Sequence, residues 1–247
     1  MATKISYAKA TRGLTGDEPK YVALDCEMVL ASVDGAEPVH SLAQIAIVDW
    51  NGKVIYKTYV VPEGEITDYL TQYSGVEEKD LVGAPSFQEV RARVLEIISG
   101  KTVVGHGLRS DFEALQIPYN VDLTRNTALT NKYQKNVVNY RTGEPGRGAR
   151  RLRNLAKTYL NETIQEGSHD PEIDARAAML LYQKARDEMD FAAMMSMFAK
   201  FHLAYMSAEG SATIPAYTSS AGFVSRGGKT GKKRSNRKNR KTRKQRK

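Results

Sequence analysis

The sequence predicts an α/β fold built on a mixed five-stranded sheet with flanking helices. Three strand-like stretches come first, and segments with helical spacing of apolar residues alternate with or follow the later strands. The 247 residues are 41% hydrophobic. This length and composition suit one domain of roughly 200 residues with a buried core, plus an appendage.

The five strands are predicted from short apolar runs. They are residues 21–29, 44–50, 53–61, 101–105 and 119–123. Asn51-Gly52 separates the second run from the third, and this dipeptide predicts a hairpin with a two-residue type I′ turn. Three strands in succession, followed by a helix and another strand, indicate a mixed sheet.

Helical spacing of apolar residues is strongest after Pro85. The predicted helices are residues 87–99, a segment opening at Ser110 as N-cap, 152–160, 171–184 and 187–205. Asp170-Pro171 marks the start of the fourth, because aspartate suits the cap and proline suits the first helical position. Residues 143–153 (GEPGRGARRLR) are predicted to form a flexible basic loop.

The net charge of +9 is unevenly distributed along the chain. Residues 226–247 carry 13 Lys and Arg and no acids, which leaves 24 Lys and Arg against 28 acids, a net of −4, in residues 1–225. We therefore expect a flexible leader (1–19), a domain (20–206) with an additional Met-rich helix (187–206), and a disordered linker and basic tail (207–247).

The basic tail is predicted to bind nucleic-acid phosphates and to direct the protein to the nucleus, in particular the nucleolus. The alternative is a solvated tail without function. The residues assigned to these roles are Lys232, Lys233, Arg234, Arg237, Lys238, Arg240 and Lys241.

Several classes of protein are excluded by composition. The single cysteine, Cys26, excludes an intramolecular disulfide framework and a cysteine-rich zinc site. No run approaches the roughly 18 apolar residues that span a membrane, so no membrane association is expected. The N-terminal segment lacks an apolar stretch, so we expect a soluble intracellular protein without a secretory signal.

Two carboxylates interrupt the first predicted strand. Asp25 and Glu27 are two residues apart, so their side chains share one face of the strand. Burying like charges side by side costs several kcal/mol for each unless they are paired, and divalent cations relieve both problems. The alternative, an edge strand with a solvated face, fits poorly with the apolar neighbours.

Three further residues complete a candidate site. Asp111 follows a predicted strand at the start of a helix, although an acid there also suits the helix dipole. His169 lies just before the helix that begins near Pro171, and Asp174 lies one turn inside it. A loop histidine alone is most simply a surface residue. Together, four carboxylates and a histidine are the components of two-metal phosphodiester hydrolysis.

Three ordered motifs resemble those of the DEDDh superfamily of 3′→5′ exonucleases. They are LDCEM (24–28), VVGHGLRSDFEAL (103–115) and IQEGSHDPEIDARAAMLLY (164–182). Within that superfamily the chain is most similar to the branch of RNA exonuclease 4 and the interferon-stimulated exonuclease, and VPEGEITDYLTQYSGV (61–76) supports that branch. The resemblance covers roughly residues 20–184.

The resemblance implies an RNase H-like fold and two Mg²⁺ or Mn²⁺ ions. It implies that Asp25, Glu27, Asp111 and Asp174 hold these ions and that His169 is the general base. An unshifted histidine pKa of about 6.5 already suits proton transfer at neutral pH.

Substrate-binding residues are predicted around the same motifs. The resemblance implies that Met28 packs on the terminal nucleotide. His106 and Arg109 in the second motif, and Arg150 and Arg151 in the basic loop, are further predicted contacts. The chain departs from the family at Leu70, where an arginine is common, and at Ser110, where a histidine is common; both bear on nucleotide preference.

The site residues and the resemblance therefore predict a metal-dependent 3′→5′ exoribonuclease acting on single-stranded RNA. The resemblance and the basic tail together imply a role in ribosomal RNA processing, on precursor rRNA or pre-ribosomal particles. A DNA exonuclease of the same superfamily is one alternative. A catalytically idle RNA-binding assembly factor is another, although the intact site residues argue against it. The Met-rich helix is predicted to pack on the domain or, alternatively, to dock a protein partner.

Overall fold

The computed structural model describes residue 16 and residues 18–209. The chain divides into two units, residues 1–205 and 206–247, and the sheet and its flanking helices belong to the first. The predicted leader up to residue 15 and the tail residues 210–247 lie outside the described residues.

Eight strands and five helices, besides short 3₁₀ and π turns, make up the described chain. In order they are β1 (Tyr21–Ser32), β2 (Val39–Asp49), β3 (Val54–Tyr59), β4 (Glu65–Asp68), α1 (Thr71–Ser74), α2 (Phe87–Ile98), β5 (Thr102–Gly105), α3 (Arg109–Ala114), β6 (Thr124–Asn126), β7 (Gln134–Val138), β8 (Pro145–Ala149), α4 (Leu152–Leu155) and α5 (Pro171–Glu209).

The predicted α/β fold with a mixed sheet is confirmed. The main sheet has the order β3-β2-β1-β5-β6, in which β2 and β3 are antiparallel to their neighbours and β5 and β6 are parallel to theirs. A sixth strand, β4, which the prediction lacks, pairs antiparallel with the end of β1. β1 is therefore central, and the interpretation of an edge strand with a solvated face is wrong.

Helices cover both faces of this sheet, because its strands are apolar on both faces. On one face the side chains of Leu24 and Cys26 pack with those of α2 and α3. On the other, Ala23 and Val104 pack with α4 and the first half of α5. A third apolar cluster, which includes Val29, lies further along β1 on the face that Ala23 shares.

A gap in strand pairing opens along the middle of β1. β5 pairs with residues 21–23 and β4 with residues 30–32. Between these two segments β1 has no strand partner on that edge among the described residues, while β2 continues along the other edge with a bulge opposite Glu27 and Met28. The gap leaves room for side chains and loops beyond the carboxyl end of β5, where ligand sites of α/β sheets lie.

The hairpin turn between β2 and β3 differs from the predicted type I′. Gly52 has φ +74°, but Asn51 does not have a positive φ. The amide N–H of Gly52 donates to Asp49 O, and that of Asp49 donates to Lys53 O. The connection is thus a three-residue loop with a glycine in the left-handed region, in which only one residue needs positive φ.

Two predicted boundaries are wrong. In place of the strand predicted at 119–123, Val121–Leu123 forms a 3₁₀ turn that the Asn120 side chain caps, and the strand β6 follows it at Thr124–Asn126. Helix α3 begins at Arg109, so Ser110 lies inside it and is not its N-cap. The helix starts earlier because the N–H of Ser110 already bonds the carbonyl of Gly107.

The predicted flexible loop at 143–153 contains a strand. β8 pairs antiparallel with β7 in a separate two-stranded sheet. Gly148 faces Val137, whose methyl group would lie 2.8 Å from a Cβ at that position. Glycine at this position therefore allows the close packing. A glycine-rich composition, which usually indicates a loop, forms a strand in this segment.

Helix α5 joins the two predicted helices into one. Ala185 has φ −125° and ψ 15°, which places a kink between the buried first half and the second half. No helix among the described residues is long and apolar enough to cross a membrane.

Candidate active site

Asp25 and Glu27 lie on one face of β1, as predicted. They occupy the stretch of this face between the apolar cluster that contains Ala23 and the cluster that contains Val29. Glu27 is 7% exposed, and Asp25 is half-buried. The two carboxylates thus lie between two apolar clusters on the same face of the strand.

Asp111 reaches the same strand from the other side of the gap. Gly107, with φ +87°, turns the chain between β5 and α3 and places Asp111 in the first turn of the helix. The Asp111 carboxylate is 5% exposed and accepts a hydrogen bond of 3.0 Å from the backbone N–H of Cys26. It therefore satisfies a strand donor that has no strand partner, and it lies beside the two acids of β1.

Asp174 and His169 approach from the start of α5. Asp170 caps this helix by accepting from the N–H of Glu172, as the Asp-Pro signal predicts. Asp174, one turn inside, is 2% exposed. The Nδ1 atom of His169 is 3.7 Å from Asp174 Oδ2 and 4.0 Å from Glu27 Oε1.

The segment before α5 is held against α1. The N–H of His169 donates to Tyr73 O at 2.8 Å. Gly75, with φ +69°, makes this approach possible, because a Cβ there would lie 3.1 Å from the side chain of Ser168. The histidine is thereby fixed at the rim of the site while its ring stays half-buried.

Gln165 is a site residue that the sequence reasoning missed. It has φ +59°, and its side-chain amide donates to Asp174 Oδ2 at 2.5 Å. The same amide nitrogen lies 3.5 Å from His169 Nδ1, which is compatible with an unprotonated Nδ1. Gln165 opens no helix and matches no ligand pattern, so only the folded chain reveals its role.

The four site carboxylates have raised proton affinity, chiefly because they are buried. Burial and, after it, the neighbouring carboxylates raise the pKa of Asp25 well above its ordinary value and that of Glu27 to about 9. Burial also raises the pKa values of Asp111 and Asp174, against the lowering effect of the hydrogen bonds that these two accept. Without a cation this arrangement is unfavourable.

The pKa of His169 shifts in the opposite direction, downward. Burial and then the nearby Arg153 lower its pKa below the ordinary 6.5. The ring is therefore neutral at pH 7 and able to accept a proton.

The carboxylates fit divalent cations. Asp174 Oδ1 is buried without a hydrogen-bond partner among the described residues, so an acceptor points into the site with nothing to satisfy it. Ligand atoms of Glu27, His169 and Asp174 lie within 4.8 Å of one another. Hard oxygen donors of this kind suit Mg²⁺ or Mn²⁺.

These acids open into a cleft of about 890 Å³ with a basic wall. Asp25, Glu27, His169 and Asp174 line it together with Arg150, Arg151 and Arg153. His106 also lines it, but Thr127 Oγ1 and Arg150 O engage its two ring nitrogens at 2.9 and 3.0 Å. Burial lowers the His106 pKa, and its two contacts join the loop before α3 to the basic segment.

The remaining predicted contacts lie elsewhere. Met28 faces a second cleft of about 720 Å³, which Ser110 and Glu113 also line. Arg109 is exposed and lies over the ring of Tyr119, and it is not among the residues that line either cleft.

Metal binding and pH are expected to be coupled through these carboxylates. A carboxyl whose pKa is higher in the folded than in the unfolded chain binds protons that unfolding releases, so rising pH lowers the free energy of unfolding. In EDTA we expect the Tm to fall by roughly 5–10 °C between about pH 5 and about pH 8. Mg²⁺ or Mn²⁺ should restore it, most strongly at the higher pH.

Thermal unfolding of the full chain with EDTA or MgCl₂ across that pH range measures this coupling. Asp174→Asn should show a flatter pH dependence in EDTA and a smaller rise with the cation. A Tm that neither falls with pH in EDTA nor rises with either cation would contradict the expected metal site.

Proteins of similar sequence carry the names of exonucleases. Over 171 residues the chain is 37% identical to RNA exonuclease 4 of Cryptococcus neoformans, an alignment that covers 69% of this chain and 40% of that protein. It is 38% identical over 173 residues to human interferon-stimulated 20 kDa exonuclease-like 2, with coverage of 69% and 47%. The chain thus spans less than half the length of these two relatives.

Solved structures of Pan2 share the fold. The pseudoubiquitin hydrolase–RNA exonuclease module of Saccharomyces cerevisiae Pan2 in complex with AAUUAA RNA is 29% identical, with a TM-score of 0.56 over 78% of this chain and 34% of that one. This confirms the RNase H-like fold that the motifs imply. Residues 22–182 match the RNase_T exonuclease model and include all five predicted site residues, so the chain belongs to this family of exonucleases.

Proposed function

We propose that the protein is a metal-dependent 3′→5′ exoribonuclease. The observation that carries this proposal is that Asp25, Glu27, Asp174 and a neutral His169 line one cleft with a basic wall, while Asp111 is bonded to the same strand at Cys26. Asp25, Glu27, Asp111 and Asp174 would hold two Mg²⁺ or Mn²⁺ ions. Family membership and the names of the relatives support the same reaction class.

The reaction is hydrolysis of the terminal phosphodiester bond. The oxygen of water bonds to phosphorus, and the bond between phosphorus and the 3′ oxygen of the preceding nucleotide breaks. That 3′ oxygen takes up a proton from solvent, so the products are a nucleoside 5′-monophosphate and a strand that is one nucleotide shorter. Bound cations would activate the water and stabilise charge on the leaving oxygen. His169 accepts the proton of the water at Nδ1, the ring atom that faces the carboxylates.

The remaining cleft residues position the strand. Arg150, Arg151 and Arg153 lie where a phosphate backbone would need positive charge beside an acidic centre. Met28 is proposed to pack on the terminal nucleotide from the second cleft. Gln165 donates a hydrogen bond to Asp174 and so orients this metal ligand without being a ligand itself.

RNA is the proposed substrate because RNA exonuclease 4 of Cryptococcus neoformans and the Pan2 module are named for RNA. We propose further that it is precursor ribosomal RNA, in pre-ribosomal particles of the nucleolus. The basic composition of residues 226–247 supports this compartment. The helical segment 187–206 is proposed to bind a protein partner.

Digestion of matched 5′-labelled RNA and DNA oligomers with Mg²⁺ or Mn²⁺ tests the activity. The proposal expects a ladder of progressively shorter labelled RNA, release of nucleoside 5′-monophosphates, and no reaction in EDTA. Faster cleavage of DNA would favour the DNA exonuclease. Binding of single-stranded RNA with no cleavage under either cation would favour the idle assembly factor.

Deleting residues 226–247 should weaken the affinity for RNA without removing the hydrolytic activity. The loss of 13 positive charges should weaken RNA binding and flatten its dependence on salt, because fewer counterions are released. Cleavage of short oligomers should be retained. Filter binding at several salt concentrations and a digest of a short RNA oligomer measure the two effects, and loss of short-oligomer cleavage would place the tail in the catalytic domain.

A further inference from the structure

The second half of α5 presents its large apolar side chains to solvent. Phe191, Met194, Phe198, Phe201 and Tyr205 are between 53% and 72% exposed. The predicted helix does meet the domain, but this stripe is not the side that packs on it. An exposed apolar surface of this kind on a soluble domain marks an interaction site.

The opposite side of the same helix is the one that meets the domain. The small residues Ala192, Ala193 and Ser196 line a groove shared with Tyr119 and Thr124. One turn further on, Lys200 Nζ lies 2.8 Å from Asp122 Oδ1. The helix is thus anchored through small and charged residues, which directs its aromatic residues outward.

The spacing of the exposed residues is that of a coiled coil. Positions 191, 194, 198, 201 and 205 are separated by three, four, three and four residues, which is the a/d pattern of a heptad repeat. At 100° per residue they form one stripe, and Lys200 lies about 140° away from its centre. We call these five residues, with the flanking Met195 and Met197, the seam.

We propose that the chain forms a homodimer in which the seams of two copies pack against each other as a two-helix coiled coil. The seam carries no charged residue, so it offers an ionic partner nothing to recognise. It matches a helix with the same repeat, and the seam itself supplies that repeat. In a twofold dimer each copy presents the same self-complementary surface to the other.

The available area is sufficient for such a dimer. The seven seam side chains are 47–72% exposed. At roughly 200 Å² for each side chain, they would bury about 800 Å² per chain, which is the size of a standard stable interface. The helix is already formed by its continuation from the buried first half of α5, so pairing does not have to nucleate it.

Sedimentation equilibrium of the full chain, in buffer of high salt after nuclease treatment, tests the proposal. The proposed dimer predicts that the average mass rises with protein concentration toward twice 27.5 kDa. Phe198→Glu and Phe201→Glu should each weaken the dimer at least about 30-fold, as expected for central aromatic residues. Leu203→Glu, an equally exposed apolar residue on the same helix but outside the seam, should leave the dimer intact.

Circular dichroism of each variant verifies that the fold is kept, which is expected because the substituted side chains are exposed. A wild-type chain that stays monomeric throughout overturns the proposal. So does a dimer that both seam variants leave unchanged. If the monomer becomes a dimer only when residues 210–247 are removed, the chain's own C-terminal segment is the occupant instead. These results concern mass alone, so they stand whether or not the protein cleaves RNA.

Discussion

Asp174→Asn is expected to lower exonucleolytic cleavage of RNA at least roughly 1,000-fold, because a bound cation contributes several kcal/mol of transition-state stabilisation. Asp174 is buried at the start of α5 with one oxygen unpartnered among the described residues and the other held by Gln165. The amide keeps the shape of the carboxylate but removes its charge. The initial rate of digestion of a labelled RNA oligomer measures the loss.

Two further measurements separate a ligand from a structural acid. Asp187→Asn, on the exposed side of the same helix, should cleave at the wild-type rate. The Asp174→Asn variant should keep most of its RNA affinity and lose most of the Tm increase that Mg²⁺ produces. Loss of RNA binding to the same degree as cleavage would show that Asp174 is structural.

His169→Gln is expected to lower the same rate about 10²- to 10⁴-fold, the usual contribution of a general base. The lowered pKa of His169 keeps it neutral at pH 7, and its Nδ1 faces Glu27 and Asp174. Glutamine fills a similar volume but cannot take the proton. Its effect should therefore fall on the chemical step, with little change in the affinity for RNA.

The response to Mg²⁺ distinguishes a base from a ligand. His169→Gln should keep the wild-type increase in Tm with the cation, whereas Asp174→Asn should lose it. His202→Gln, an exposed histidine elsewhere on α5, serves as the matched control for cleavage. If His169→Gln loses the Mg²⁺ response as fully as Asp174→Asn does, His169 is a metal ligand and the base lies elsewhere.

Much of the site could be predicted because acids within apolar strands are anomalous. Asp25 and Glu27 stand out against Leu24, Cys26 and Met28, and an Asp-Pro pair marks the helix that holds Asp174. These signals are local: a strand alternates every two residues, and a cap lies next to its helix. The α/β class and the buried position of the first strand's acids follow from them, whereas the three motifs were assigned through the resemblance to the DEDDh superfamily.

Other features depended on contacts that local pattern does not encode. The loop predicted at 143–153 contains β8 because β7 pairs with it and Val137 packs over Gly148. The 119–123 segment, although apolar, turns before its strand begins, because Val103 pairs with Thr124. In both places, pairing with a strand that is distant in sequence determines where the strand forms, and the local composition does not.

Charge and chemical type can be read from the sequence, whereas the positions of the side chains in space cannot. From the sequence alone come a body of net −4, a tail of 13 positive charges, and four acids and a histidine with the chemistry of a metal-dependent nuclease. Only the tertiary structure brought three of the acids to one cleft and Asp111 to the backbone beside them, placed Gln165 against Asp174 and left the aromatic stripe of α5 exposed. The reason is physical: residue type and spacing determine what a side chain can do, whereas burial and distance, which set pKa and partner, arise only when remote segments pack together.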